Sequence, residues 1–401
     1  MQLGWIDFSK QDRQKALDVM NLLSKQGAVD ELGIGIVRDA FSNYFFPGTS
    51  TIQTRAKYFL IVPYVLKEAV AVKSVKDVNS VLRAIDSDEK DCGISLLEAD
   101  PGAEGIIGSN VLKKKGWVAR TPSSIYWNGI RTYGIFCAKD LSIPEYVSLA
   151  LKLKEKKEVA KSGNRNDDAE ENERDDIDAG DFDSIRFWNL PTYPKNWREK
   201  LSIELTKKEA DYLDEQIQKS TKGTLLEYIL KNHIDLNKYD CFGSFTADLS
   251  GQVDAKLANM MKLACDFSDI VYMARVRYNI ILSEGENEEA VGEWNRIQQD
   301  IRRGARVDLG AVFGELELIN PGTKGFLRGL QTAFMASDIE LADELIRKRE
   351  RSLKGVGRAK LSRTKEFNHS KWVGGKELDY RFPDARRIVN DIYAGKERTD
   401  V

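Results

Sequence analysis

Residues 257–282 read LANMMKLACDFSDIVYMARVRYNIIL. Met261, Ala264, Ile270, Met273, Val276 and Ile280 carry an apolar pattern through the whole stretch, which predicts a long buried helix. A second stretch, TIQTRAKYFLIVPYVLKEAVAVK over residues 51–73, is apolar on most of its surface, so it belongs at the centre of a lobe; Ser50 or Thr51 can cap it and Pro63 should kink it. Outward from these two, amphipathic segments follow one another. Ser9 caps KQDRQKALDVMNLLSKQ, where Ala16, Leu17, Met20 and Leu23 share a stripe and Gly27 ends the pattern. Thr206 with Glu209 forms a capping-box signature before KKEADYLDEQIQKS. Two-residue alternation is scarce, and LSIEL at 201–205 is the one short strand candidate. The expected fold is mainly α, two helical lobes with at most a small β wing or hairpin.

The chain has 401 residues, 61 Lys plus Arg against 63 Asp plus Glu, 2 His and 4 Cys, for a net charge of −2. This composition is globular, and the length exceeds what one hydrophobic core usually serves. Disulfide scaffolds, collagen-like chains and wholly disordered chains are excluded. No apolar run reaches the roughly 18 residues of a membrane helix, and the opening MQLGWIDFSKQDRQ lacks the regions of a signal peptide, so a soluble, cytoplasmic protein with no membrane partner is expected. Residues 161–183, KSGNRNDDAEENERDDIDAGDFD, hold ten acidic and three basic residues and almost nothing to bury. This composition predicts a disordered acidic linker over 161–185 between an N-terminal helical domain, 1–160, and a C-terminal one, 186–401. Its net −7 leaves +5 on the rest of the chain.

Catalytic constellations are incomplete. No phosphate-cradling GxxxxGK[ST], GxGxxG, GxSxG or kinase set occurs. Cys92, Cys137, Cys241 and Cys265 are too widely spaced for a knuckle that presents two ligands, so neither a metal nor another cofactor is expected. His233 ends a helical run, where an imidazole serves the helix terminus. His369 opens a His-x-Lys pair with Lys371, but the Asp that a phospholipase D motif needs is replaced by Lys376. Asp248, Asp254 and Lys256 have the residue types of a metal-dependent nuclease, with a solvated helix start as the alternative. No catalytic residue is assigned.

Basic clusters carry more information. Lys113, Lys114, Lys115, Arg120 and Arg131 surround Trp117, Tyr126 and Trp127, beside a helix start at Ser123–Ser124 whose N–H groups could meet phosphate. From Arg347 to Glu366 nine basic and two acidic residues give +7: Arg347, Lys348, Arg349, Arg351, Lys354, Arg358, Lys360, Arg363 and Lys365. A flexible segment of this kind suits phosphate backbones, or could pair with the acidic linker. Arg302, Arg303 and Arg306 read as a helix C-terminal charge group.

Four segments, GWIDFS at 4–9, AFSNYFFPGTSTIQTRAKYFLIVPY at 40–64, PSSIYWNGIRTYGI at 122–135 and LDYRFPDARRIVNDIYAG at 378–395, together resemble an uncharacterised bacterial family of unknown function. The resemblance covers most of the chain, with the acidic stretch between matched regions. It implies a place in phage-defence neighbourhoods beside a helicase with a phospholipase D-like nuclease domain, and it supplies no catalytic residues. The function expected is therefore a non-catalytic accessory subunit of an antiphage defence system, binding DNA, that helicase-nuclease, or both. Two alternatives are a metal-dependent nuclease with an unrecognised carboxylate site and a purely protein-binding scaffold.

Overall fold

The computed structural model describes residues 30–72, 77–163, 187–317 and 320–399. After α1 (Gly35–Phe45) come α2 (Tyr58–Ala71), α3 (Val78–Ala99), α4 (Pro122–Thr132), α5 (Ile143–Gly163), α6 (Lys207–Ser220) and α7 (Leu225–Lys231). Then follow α8 (Phe242–Leu249), α9 (Ala255–Leu282), α10 (Glu288–Ile297), α11 (Leu309–Glu315), α12 (Pro321–Met335) and α13 (Ile339–Lys354), and finally α14 (Phe382–Lys396). The fold is mainly α. Among the described residues there is no strand, only an isolated antiparallel bridge between Phe136 and Trp188. LSIEL is not a strand: Leu201, Ile203 and Leu205 are buried and Ser202 and Glu204 exposed, but no second segment lies alongside to form a ladder. No described helix is long and apolar enough to cross a membrane. The stripe expected over residues 9–26 lies outside the described residues.

Two compact units divide the chain, one of Met1–Phe41 with Phe242–Tyr380 and one of Ser42–Cys241 with Arg381–Val401. In the first, α9 is the axis. Asp254 caps it, its carboxylate accepting from the Lys256 and Leu257 N–H groups at 3.0 Å. Met261, Ala264, Ile270, Met273 and Val276 are buried as their pattern requires, each large apolar side chain contributing about 1.5–3 kcal/mol. Packing is tight enough at Gly304 that a Cβ there would sit 2.5 Å from the Met273 sulfur.

In the second unit α2 is buried on nearly every face. It starts at Tyr58 rather than Thr51, because the Thr54 and Arg55 N–H groups that would open the helix donate instead to the Tyr126 hydroxyl, at 2.8 and 3.0 Å. Pro63 lies inside it. The capping box expected at Thr206 and Glu209 is present on α6. Helix α14 returns to pack on α6, so closely that a Cβ at Gly395 would fall 2.7 Å from the Ala210 Cβ.

The units therefore do not follow the linear order 1–160 and 186–401. Residues 164–186 lie outside the description, but their flanks belong to one unit. The Cys137 N–H donates to the Phe187 carbonyl at 2.8 Å, and Phe187 and Trp188 pack on Phe136 and Tyr146. The aromatic segment after them continues along the same unit, with Tyr193 stacked on Tyr64 at 3.9 Å.

Candidate nucleic-acid interface

On the second unit a single helical turn, Ser109–Leu112, follows Gly108, whose φ of 76° only glycine adopts freely. Leu112 is buried against Gly93. The chain then reverses at Lys115, itself left-handed at φ 61°, and the Gly116 N–H donates to the Val111 carbonyl at 2.9 Å. With Leu112 as anchor, Lys113, Lys114 and Lys115 all project into solvent, as does Arg120. None of the four makes an ion pair among the described residues. Trp117 borders them, its indole N–H donating to Asp86 at 2.9 Å.

Two parts of the sequence expectation change here. Arg131 sits at the far end of α4, about 15 Å along the axis from Arg120, half-buried, and donates to the Lys139 carbonyl at 3.2 Å. The start of α4 is also closed to phosphate. Glu89 occupies it, accepting from the Ser123 N–H at 2.7 Å and the Ser123 hydroxyl at 3.1 Å, while Ser124 N–H donates to the Thr121 hydroxyl. An acidic side chain thus fills the anion site that a helix N-terminus provides. Glu89 is 2% exposed, and burial pushes its carboxyl up to about 8. Tyr126 and Trp127 are core residues.

On the first unit the Arg347–Glu366 stretch is built, not loose. α13 ends at Gly355 (φ 74°), and short 3-10 turns follow at Lys360–Ser362 and Thr364–Glu366. Glu350 organises them. Fully buried, it accepts from the Tyr278 hydroxyl at 2.8 Å and from the Lys360 and Leu361 N–H groups at 3.1 and 2.9 Å. Lys360 reaches Glu31 at 3.0 Å, and Lys354 lies between Glu31 and Glu350 at 3.4 and 3.5 Å. Burial alone would raise the Glu31 carboxyl, but these two lysines hold it below its ordinary value. Arg349 is turned inward, donating to the Leu32 and Gly33 carbonyls and the Thr323 hydroxyl over the Phe326 ring; burial lowers its pKa.

Arg349, Lys354 and Lys360 are thus structural. Arg351 donates to Ser362, Arg358 to the Lys354 carbonyl, and Arg363 pairs with Glu366 at 3.0 Å. Arg347, Lys348 and Lys365 make no ion pair among the described residues, and Lys348 and Lys365 are exposed. Of the third basic group, Arg303 and Arg306 pair with Asp269 and Asp300, each at 2.7 Å.

The residues weighed for catalysis have local duties. Asp254 caps α9 and Asp248 lies on α8. His369 is held between Glu286 and the Thr364 carbonyl. His233 takes the left-handed position after α7, its ring against Tyr393. Among the described residues no three metal-ligating side chains gather.

Sequence reading missed a different gathering. Three of the segments quoted above meet around the loop Pro47–Lys57. Arg381 donates to Asn43 at 2.7 Å and to the Thr49 carbonyl at 2.9 Å, and Arg387 to the Gln53 carbonyl at 3.2 Å. Asp391 accepts from the Ala56 N–H at 2.7 Å and from Arg55 at 3.0 Å. Gly129 of α4 lies so near the loop that a Cβ would be 2.5 Å from the Gly48 carbonyl. The result is a rigid loop that exposes Thr51 and Ile52 at its tip. Those three segments themselves were the available signal, though not their meeting.

The model of a family of unknown function, DUF6361, matches residues 1–159. That span holds three of the four segments and both halves of the Lys113–Arg120 group; LDYRFPDARRIVNDIYAG lies beyond it. No curated protein and no solved structure matches the chain.

Proposed function

We propose that the protein is a non-catalytic, nucleic-acid-binding subunit of an antiphage defence assembly, in which a helicase with a phospholipase D-like nuclease domain supplies the cleavage. The observation that supports binding is the group Lys113, Lys114, Lys115 and Arg120: four exposed cations, unpaired among the described residues, on a turn whose backbone is fixed by Leu112 and Gly116. A fixed turn loses little entropy on docking, and cations without carboxylate partners are available to displace counterions from phosphate. Because Glu89 fills the neighbouring helix terminus, side-chain charge alone makes the contact, which favours backbone recognition over reading of base edges. The defence setting and the helicase-nuclease rest on the family resemblance.

Fluorescence anisotropy with a duplex across a salt series tests this reading. Four phosphate contacts give a slope of log K against log salt of about −3.6, and reversing Lys113, Lys114 and Lys115 to Glu removes about three quarters of it. A slope unchanged by the triple reversal rejects this surface, and binding indifferent to salt rejects the mode.

A further inference from the structure

Trp117, in the second unit, is held in one orientation beside the cations of the candidate interface. Its indole N–H donates to the carboxylate of the exposed Asp86 at 2.9 Å, which sets the direction of the ring and engages the nearest negative charge. The other end of the ring lies over two glycines. A Cβ at Gly93 would stand 3.6 Å from the ring atom Cζ3, and one at Gly108 would stand 3.7 Å from the same atom, so the bare backbone at both positions lets the ring settle close. Trp117 is nevertheless only half-buried, and among the described residues no other ring packs on it and no cation lies over it. Part of a rigid aromatic surface therefore faces water.

The neighbours of that surface narrow what covers it. Lys115 comes two residues before Trp117 and Arg120 three after, so at most about 11 Å of chain separates the ring from either. With Lys113 and Lys114 they are exposed and make no ion pair among the described residues. A partner that suits both features brings several negative charges and a flat aromatic face together. Nucleic acid does so only where its bases are unstacked: the phosphates of a duplex can meet the cations, but its base faces are covered by the neighbouring pairs. Stacking uses base faces and not base edges, so it tolerates any sequence, in keeping with a surface that otherwise addresses the backbone.

We propose that Trp117 is a base-stacking residue and that the preferred partner of the Lys113–Arg120 surface is single-stranded nucleic acid. This inference rests on the phosphate-contact reading above and adds to it the form of nucleic acid. A duplex meets the same cations but leaves the ring uncovered.

Two single strands of about 12 nucleotides, oligothymidine and a base-free strand with the same phosphates, separate the two contributions. Fluorescence anisotropy with the full-length protein should show oligothymidine bound about tenfold more tightly than the base-free strand. Trp117→Leu keeps an apolar side chain over Gly93 and Gly108 without an aromatic face and should bind both strands equally, whereas Trp117→Phe should retain most of the preference. In all three proteins the slope of log K against log salt should stay at about −2.8, the value for four phosphate contacts on a single strand. Equal binding of the two strands by the natural protein, or a preference that survives in Trp117→Leu, overturns the stacking role while the salt slope still reports on the cations. Absence of salt-dependent binding to either strand overturns both readings. Should Trp117→Leu unfold, ultraviolet crosslinking of an iododeoxyuridine strand to the natural protein, mapped by peptide mass spectrometry, decides: a crosslink at Trp117 supports stacking, and crosslinks elsewhere or none reject it.

Discussion

Glu89 lies where two effects oppose each other. Removal from water raises its carboxyl, while the start of α4 and the two donors of Ser123 favour the charged form. Burial wins, lifting it from an ordinary 4.5 to about 8. The native state therefore holds the proton more tightly than the unfolded chain, and Glu89 contributes its stability fully below about 4.5 and loses it as pH rises through about 8. Between those limits the loss is on the order of a few kcal/mol. Glu89→Gln keeps an acceptor for the Ser123 N–H and carries no charge, so urea midpoints measured from pH 5 to pH 8.5 should fall less steeply in this variant than in the natural protein. Parallel pH curves would show that some other group sets the slope. Nothing in KDVNSVLRAIDSDEKDCGISLLEAD distinguishes Glu89 from its acidic neighbours. What singles it out is Ser123, 34 residues away and reached only by packing α3 on α4.

At the scale of elements, Glu350 decides whether the basic stretch after α13 is ordered. Glu350→Ala strands the Tyr278 hydroxyl and two backbone N–H groups in a dry site, at a cost of about 3 kcal/mol or more. We expect a lowered thermal midpoint and new tryptic cuts at Arg358, Lys360 and Arg363, with Glu350→Gln intermediate. An intact 355–366 segment in Glu350→Ala would show that α13 and its neighbours hold it without this carboxylate. The same contrast explains what was legible in the sequence. The helices and the capping box of Thr206 and Glu209 on α6 depend on residues a few positions apart, and the sequence displays them. The start of α2 depends on Tyr126, and the order of the basic stretch on Glu31, more than 300 residues from Lys360. Composition assigns nine cations to solvent there, but burial and pairing remove Arg349, Lys354 and Lys360. For the candidate interface, Lys113, Lys114, Lys115 and Arg120 were readable as a cluster, whereas the detachment of Arg131 and the filling of the α4 terminus were not.

Across the whole molecule the net charge of −2 combines a −7 stretch with +5 elsewhere. If the −7 stretch competes with nucleic acid for the exposed cations, removing its charge should strengthen DNA binding. Deletion is the wrong way to remove it. α5 runs from Ile143 to Gly163, and Phe187 packs on Tyr146 in its first turn, so Gly163 and Phe187 lie about 25 Å apart along the helix. Excising residues 164–183 would leave three residues, with a reach near 13 Å, and would pull Phe187 and Trp188 off Phe136 and Tyr146. Replacing the ten acidic residues of 161–183 by Asn and Gln keeps the length and changes only the charge. This variant should bind a duplex more tightly than the natural protein at low salt, and the gain should vanish as screening shortens to about 8 Å near physiological ionic strength. A gain that persisted at high salt would point to a specific contact in place of charge competition. Unchanged affinity at low salt would mean that the acidic stretch does not compete for the DNA-binding cations.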